Sequence, residues 1–260
     1  MTTSRKWCFS ALLAIGARLG APAPALAASF SANPVSDAFV ASGPSGNLAG
    51  NNYGGAGALG LSASALSKGE FQSVLQFDLT PARSSFDSQF GAGQWSAQSV
   101  SLRLTAAAPN NALLNANSSG QFQVFWMQND SWTEGSGTPA APGASGITLT
   151  SLKNSFIGAG DESLGTFAFN GVSCGSADYT LNLTPGFAAD LAAGHPVSLR
   201  LAAADNGVSY LFDSRSFGTA ASRPSLSVTA VPEPGAAALG ALGISLLAGL
   251  GLSGRRRMTA

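Results

Sequence analysis

Reactive side chains are scarce in this chain. Its 260 residues include two cysteines, Cys8 and Cys174, and a single histidine, His195. Cys8 lies in an N-terminal segment that reads as removable, so Cys174 is left alone and no intramolecular disulfide can form. Cys174 sits in Gly171-Val172-Ser173-Cys174-Gly175. It reads either as an inert small hydrophobe or as a thiol open to another chain. His195 stands between Gly194 and Pro196, a turn position at the surface. There is no His-x-x-x-His, no Gly-x-Ser-x-Gly and no Walker loop. Two carboxylates can make a glycosidase. The pairs Asp161–Glu162 and Asp130/Glu134 exist, but in ordinary loops. The expectation is a protein that is not an enzyme.

Charge is also sparse, at 10% of residues. The formal balance of thirteen basic against thirteen acidic residues hides an asymmetry. Six of the basic residues and one acid fall in the terminal segments described below. The middle of the chain then carries seven basic and twelve acidic residues, a net charge of −5. It has no Lys/Arg cluster, which argues against nucleic acid as a partner. Ser, Ala, Gly, Asn and Thr fill the surface instead.

The long apolar runs lie at the two ends. Arg5-Lys6 precede an apolar stretch, Trp7 to Leu19, interrupted by Arg18. Ala21-Pro22-Ala23-Pro24-Ala25-Leu26-Ala27-Ala28 follows. A positive start, a short apolar core and an Ala-x-Ala site make a secretory signal peptide over 1–27, a helix cut after Ala27 or Ala28. The Sec export machinery is the implied partner.

At the other end, Pro232-Glu233-Pro234 is followed by an uncharged apolar run from Gly235 to Gly254 and then Arg255-Arg256-Arg257. The prolines hold Glu233 in an extended segment. The run has about the length that a transmembrane helix needs. The arginines form a stop that keeps the C-terminus in the cytoplasm. These three parts, over 231–260, resemble the PEP-CTERM tail of exported proteins of Gram-negative bacteria. The resemblance implies an exosortase as partner, an inner-membrane intermediate, and delivery to the cell surface or the exopolysaccharide matrix. A plain C-terminal membrane anchor is the alternative.

Between the ends, 28–230 is long enough for one domain. Its periodicity is two. Val100, Leu102 and Leu104 alternate with polar residues, as do Phe122, Val124 and Trp126. Tyr179, Leu181 and Leu183, then Val197, Leu199 and Leu201, then Leu226 and Val228 repeat the pattern. Phe167 and Phe169, Val74 to Phe77, and Asp37 to Val40 as the first strand complete it. Eight to ten short strands between Gly-, Asn- and Pro-rich segments predict an all-β sandwich or jelly roll. One short crossover helix is expected, with Thr184 as cap, Pro185 in its first turn, Phe187 and Leu191 inward, and Gly194 at its end.

Several of these runs, in order, resemble the DNRLRE domain, related to a carbohydrate-binding module family found beside alginate lyases. They are Asp37 to Val40, Asn51-Asn52-Tyr53-Gly54, Leu59-Gly60-Leu61, Leu75 to Leu79, Val100 to Leu104, Trp132-Thr133-Glu134, Tyr179 to Leu183, Phe212-Asp213-Ser214-Arg215 and Arg223 to Leu226. Ser216 stands where that family has an acid. The resemblance implies a jelly-roll module that binds polysaccharide or serves structurally in surface proteins.

In the residues themselves, Trp132 in a polar loop can stack on a sugar ring, with Asp130 and Glu134 accepting hydroxyl hydrogen bonds. Alternatively, it caps the open end of the sandwich. Arg215 and Arg223 can bind an acidic sugar, or pair with Asp213 and Asp205. No cofactor is expected. Asp37, Asn47, Asn51 and Asn52 offer oxygen ligands suited to Ca²⁺, at spacings that define no site. The reading that emerges is a non-catalytic exported protein, with a lectin-like module for an acidic or neutral glycan as the alternative. Mass spectrometry of the secreted protein should find one end near Ala28 and the other near Pro234. A tail intact to Ala260 would favour the plain anchor.

Overall fold

A computed structural model of the protein describes residues 26–107, 119–169 and 175–233. Residues 1–25 of the expected signal peptide, the apolar tail with Pro234 and Arg255 to Arg257, and Cys174 lie outside them. Among the described residues, no helix is long and apolar enough to cross a membrane.

The chain is all-β in class. Its strands are β1 (Ala28–Ala32), β2 (Ser36–Ala41), β3 (Ala58–Ser62), β4 (Phe71–Phe77), β5 (Trp95–Ala106), β6 (Gly120–Met127), β7 (Glu162–Phe169), β8 (Gly175–Leu181), β9 (Val197–Ala203), β10 (Ser209–Asp213) and β11 (Ser225–Pro232). All of their pairings are antiparallel. The order is β1-β11-β5-β10-β3-β4-β9-β6-β7, with β2 also on β4 and β8 also on β5. Two well-laddered arms emerge, β1-β11-β5-β8 and β2-β4-β9-β6-β7. The β3–β10 pair joins them through one residue pair on each side, Phe212↔Ala106 and Ser62↔Phe71.

The period-two pattern explains the core. Val100, Leu102 and Leu104 of β5, Leu226 and Val228 of β11, and Tyr179 and Leu181 of β8 share one buried cluster. Leu75 and Phe77 of β4, Leu199 and Leu201 of β9, and Phe122 and Val124 of β6 belong to the same cluster. Each arm therefore gives one face to a common interior. In β4 and β9 the alternate residues are buried too, including Gln72, Ser198 and Arg200. The second face of this ladder is covered by the segment that follows β6, through Trp132, Ile147, Leu149 and Leu152. That segment contains α2 (Leu149–Ser151), capped reciprocally by Thr148 and Ser151, and a π-helical turn, Leu152–Phe156.

Three features depart from the sequence expectation. The first strand is β1, not the segment at Asp37, and Ala28 begins it opposite Ala230 of β11. The period-two reading also passed over β3 and β10, each five residues long. A second helix, α1 (Thr80–Phe90), crosses from β4 to β5. It has Pro81 in its first turn, and the Asp78 side chain accepts from the Thr80 N–H at 2.9 Å. Its only buried residues are Ala82 and Phe86, a stripe too thin to stand out.

The expected crossover helix is present as α3 (Pro185–Ala193), with Phe187 and Leu191 buried and Gly194 left-handed at its end, φ 66°. Thr184 occupies the cap position, but the cap bonds come from Glu162. Its carboxylate accepts from the N–H groups of Gly186, at 2.9 Å, and Phe187, at 3.2 Å. An acid at a helix N-terminus also complements the macrodipole.

Leu199→Ala at the buried centre of β9 should cost about 2–5 kcal/mol in urea unfolding. Arg103→Ala breaks an ion pair to Asp178 whose side chains are 47% and 58% exposed. It should cost less than about 1 kcal/mol.

Candidate functional site

The four residues expected to meet a glycan fall at one end of the β2-β4-β9 ladder; Trp132 is buried, and Asp130, Glu134 and Arg215 are partly exposed. Trp132 is 4% exposed. Its ring packs with Ala38, Val40, Val74 and Met127, and its indole N–H donates to Ser198 Oγ at 2.9 Å. This is the capping role, and no ring face is left for a sugar. Asp130 is half-buried, and its carbonyl accepts from Gln76 Nε2 at 2.7 Å. Burial pushes its carboxyl up, and hydrogen bonds from Ser198 pull it back.

Glu134 and Arg215 bind each other side-on. Arg215 Nε donates to Glu134 Oε1 at 2.8 Å, and Nη2 donates to Oε2. Such a bidentate pair is directional as well as attractive. Asp37 completes the group. Its Oδ2 accepts from the Arg215 backbone N–H at 2.7 Å, and its own N–H donates to Glu134 Oε1 at 3.2 Å. Three distant stretches meet here: the start of β2, the loop after β6, and the turn after β10. In that turn Ser214 and Ser216 hydroxyls lie 2.9 Å apart, so Ser216 closes the turn where the resembled family has an acid.

The pairings expected for the arginines are replaced. Arg215 joins Glu134 rather than Asp213. Arg223 donates through Nε to the Phe217 carbonyl at 2.8 Å. Asp205 instead accepts from the N–H groups of Gly207 and Gln121, both at 2.7 Å.

Asn52, put forward in the sequence as an oxygen donor for Ca²⁺, organises this end of the molecule. It is fully buried. Its Nδ2 donates to the carbonyls of Glu134, at 2.7 Å, and Ile147, at 2.8 Å. Its Oδ1 accepts from the N–H groups of Gly54 and Gly137, both at 3.1 Å. A side chain with both donors and its acceptor oxygen committed to protein is a loop staple rather than a metal ligand. The approach is close enough to demand glycine. A Cβ on Gly137 would lie 2.0 Å from the Asn52 carbonyl oxygen, and one on Gly54 would lie 2.1 Å from that of Glu134. The glycine spaced two residues after Asn52 was the available signal. Among the described residues, no group of three or more His, Cys, Asp or Glu is placed to hold a metal.

The carboxylates considered for glycosidic chemistry are also engaged. Asp161 accepts from the N–H groups of Gln128 and Gly158, and Glu162 caps α3. His195 is exposed, with Nδ1 3.2 Å from Asp190 Oδ1.

The start of the motif at 232–234 is ordered against the domain. Pro232 is the last residue of β11 and pairs with Trp95. The Glu233 N–H donates to the Gln94 carbonyl at 2.9 Å, while its side chain is exposed. No family model matches this chain, and no curated protein does.

Burial raises the Asp37 carboxyl from 3.8 to about 6, against the lowering effect of the Arg215 N–H. The folded protein thus keeps a proton that the unfolded chain has already released. The stability this group contributes is full below about pH 4 and is lost as pH rises through 6. Asp37→Asn keeps an acceptor for Arg215 and should flatten the fall in Tm between these limits. An unchanged pH profile would remove Asp37 as its source.

Proposed function

We propose that this is a non-catalytic exported protein whose tail is a sorting tag, cut by an exosortase-type membrane protease. The antiparallel network is read as a β-sandwich of the jelly-roll kind. Its destination is the cell surface or the extracellular polysaccharide matrix of a Gram-negative bacterium, where it serves structurally.

The observation that carries this reading is the match between fold and signals. Strand β1 begins at Ala28, the expected signal cleavage site, and β11 ends at Pro232, the first residue of the motif. A cut after Ala27 and another beyond Pro232 would leave every strand intact. Ala28 and Ala230 are also direct partners, so both ends leave the domain at the same edge. A structural role is also supported by Asn52, Glu134, Arg215, Asp161 and Glu162, which hold loops and a helix end in place.

Glu233→Ala leaves the domain untouched, because that side chain is exposed. In cells it should leave unprocessed precursor in the membrane, read by immunoblot of membrane and secreted fractions. Normal release of this variant would sink the sorting reading.

A further inference from the structure

The junction between domain and motif has no linker. Ala230 is fully buried in the main core. Only Val231 separates it from Pro232-Glu233, and both Val231 and Pro232 are laddered to β5, as Val231↔Ser96 and Pro232↔Trp95.

The surface that receives the motif is itself fixed. Trp95 is held by α1, with its ring 4.9 Å from that of Phe86 and its indole N–H donating to Asp87 Oδ1 at 2.8 Å. Gln94 closes a tight turn by donating its N–H to the Gly91 carbonyl at 3.1 Å. Gly91 and Gly93 in that turn have φ of 97° and 67°, which suit glycine. The Gln94 carbonyl is thereby aimed at Glu233 before the motif arrives.

Register settles which backbone groups are free. The Glu233 N–H to Gln94 bond puts 233↔94 at a hydrogen-bonding position, with one bond made and the Gln94 N–H spent on Gly91. In an antiparallel ladder such pairs alternate with non-bonded ones, so Pro232 faces Trp95 at a non-bonded position. Its missing N–H removes no rung on the β5 side. That N–H would have pointed to the opposite edge, which β1 no longer covers beyond Ala230. Proline there blunts an open edge, leaving the Pro232 carbonyl as the only backbone group of that residue on offer. A protease that takes its substrate by strand addition needs the N–H and C=O groups of the motif. Those of Val231 face β5, and the N–H of Glu233 is already bonded to Gln94.

We propose that the domain competes with the protease for the sorting motif, holding it by backbone hydrogen bonds on either side of Pro232, at Val231 and at the Glu233 N–H, so that this end must unzip before cutting. This rests on the sorting reading above. It adds that the folded domain sets the rate of processing, and that α1 and the Gly91–Gln94 turn are the elements that set it.

Pulse–chase in cells that carry the processing protease tests this with the full chain. A Gly-Ser-Gly-Ser insertion between Val231 and Pro232 frees the motif and leaves β11 to Ala230 in place. It should speed processing about fivefold, the worth of one net hydrogen bond. Ser96→Cys with Val231→Cys, joined as a disulfide, locks the ladder and should slow processing until reductant is added. Equal rates for wild type, insertion and lock would overturn the competition while leaving the sorting reading standing, as would slower cutting of the insertion variant. If wild type and Glu233→Ala both stay uncut, the sorting reading fails and the competition fails with it.

Discussion

The double burial of the β4–β9 ladder is the constraint on which the rest of the structure depends. One face of these strands enters the common core through Leu75, Phe77, Leu199 and Leu201. The other carries Val74 among Gln72, Gln76, Ser198 and Arg200, a mixed surface that needs both cover and hydrogen-bond partners. The segment after β6 supplies the cover with Trp132, Ile147, Leu149 and Leu152. Partners come from the cover and from the face itself. Trp132 donates to Ser198, Arg200 donates to Gln72 at 2.9 Å, and the Arg200 guanidinium lies 4.0 Å from the centre of the Phe125 ring.

Once that segment is laid down, its loops must be fastened, and the polar residues of the chain do this. Asn52 binds two carbonyls and the Gly137 N–H across more than eighty residues of sequence, and the neighbouring Gly54 N–H as well. Glu134, Arg215 and Asp37 form a second fastening beside it. The burial of Asp37 carries an electrostatic penalty, which its raised pKa records. The hydrogen bonds of Asn52, Glu134 and Asp37 at this end of the molecule are therefore made to the protein itself. By contrast, β11 lies between β1 and β5 and brings the two ends of the domain side by side. There the exposed Glu233 carboxylate points outward from a backbone that is held.

Most strands were legible because their signal is local. Val100-Leu102-Leu104 and Val197-Leu199-Leu201 each show a polar–apolar alternation within five residues. Helix α3 was legible for the same reason, with Pro185 at its start and Gly194 at its end. Helix α1 was not, because Ala82 and Phe86 alone carry its buried face and its other residues resemble a polar loop. Strand β1, Ala-Ser-Phe-Ser-Ala, has one large apolar residue and owes its existence to pairing with β11. At the candidate site, the sequence put Asp130, Trp132, Glu134 and Arg215 forward as a group, and the fold does bring Glu134 and Arg215 together. It could not tell which way they face. Trp132 lies within a polar stretch, and its burial depends on distant partners: Ala38, Val40 and Val74 pack on its ring, and Ser198, sixty-six residues away, accepts its indole N–H.

The amino-acid sequence by itself determined the β class and the short helix α3, because periodicity, proline and glycine act within a few residues of themselves. Tertiary structure alone decided that Trp132 closes a core, that Asn52 and Asp37 are buried, and that Pro232 and Glu233 are held to β5. Those outcomes depend on partners distant in the chain, and the free energy of burying a polar group is set by the partner it finds.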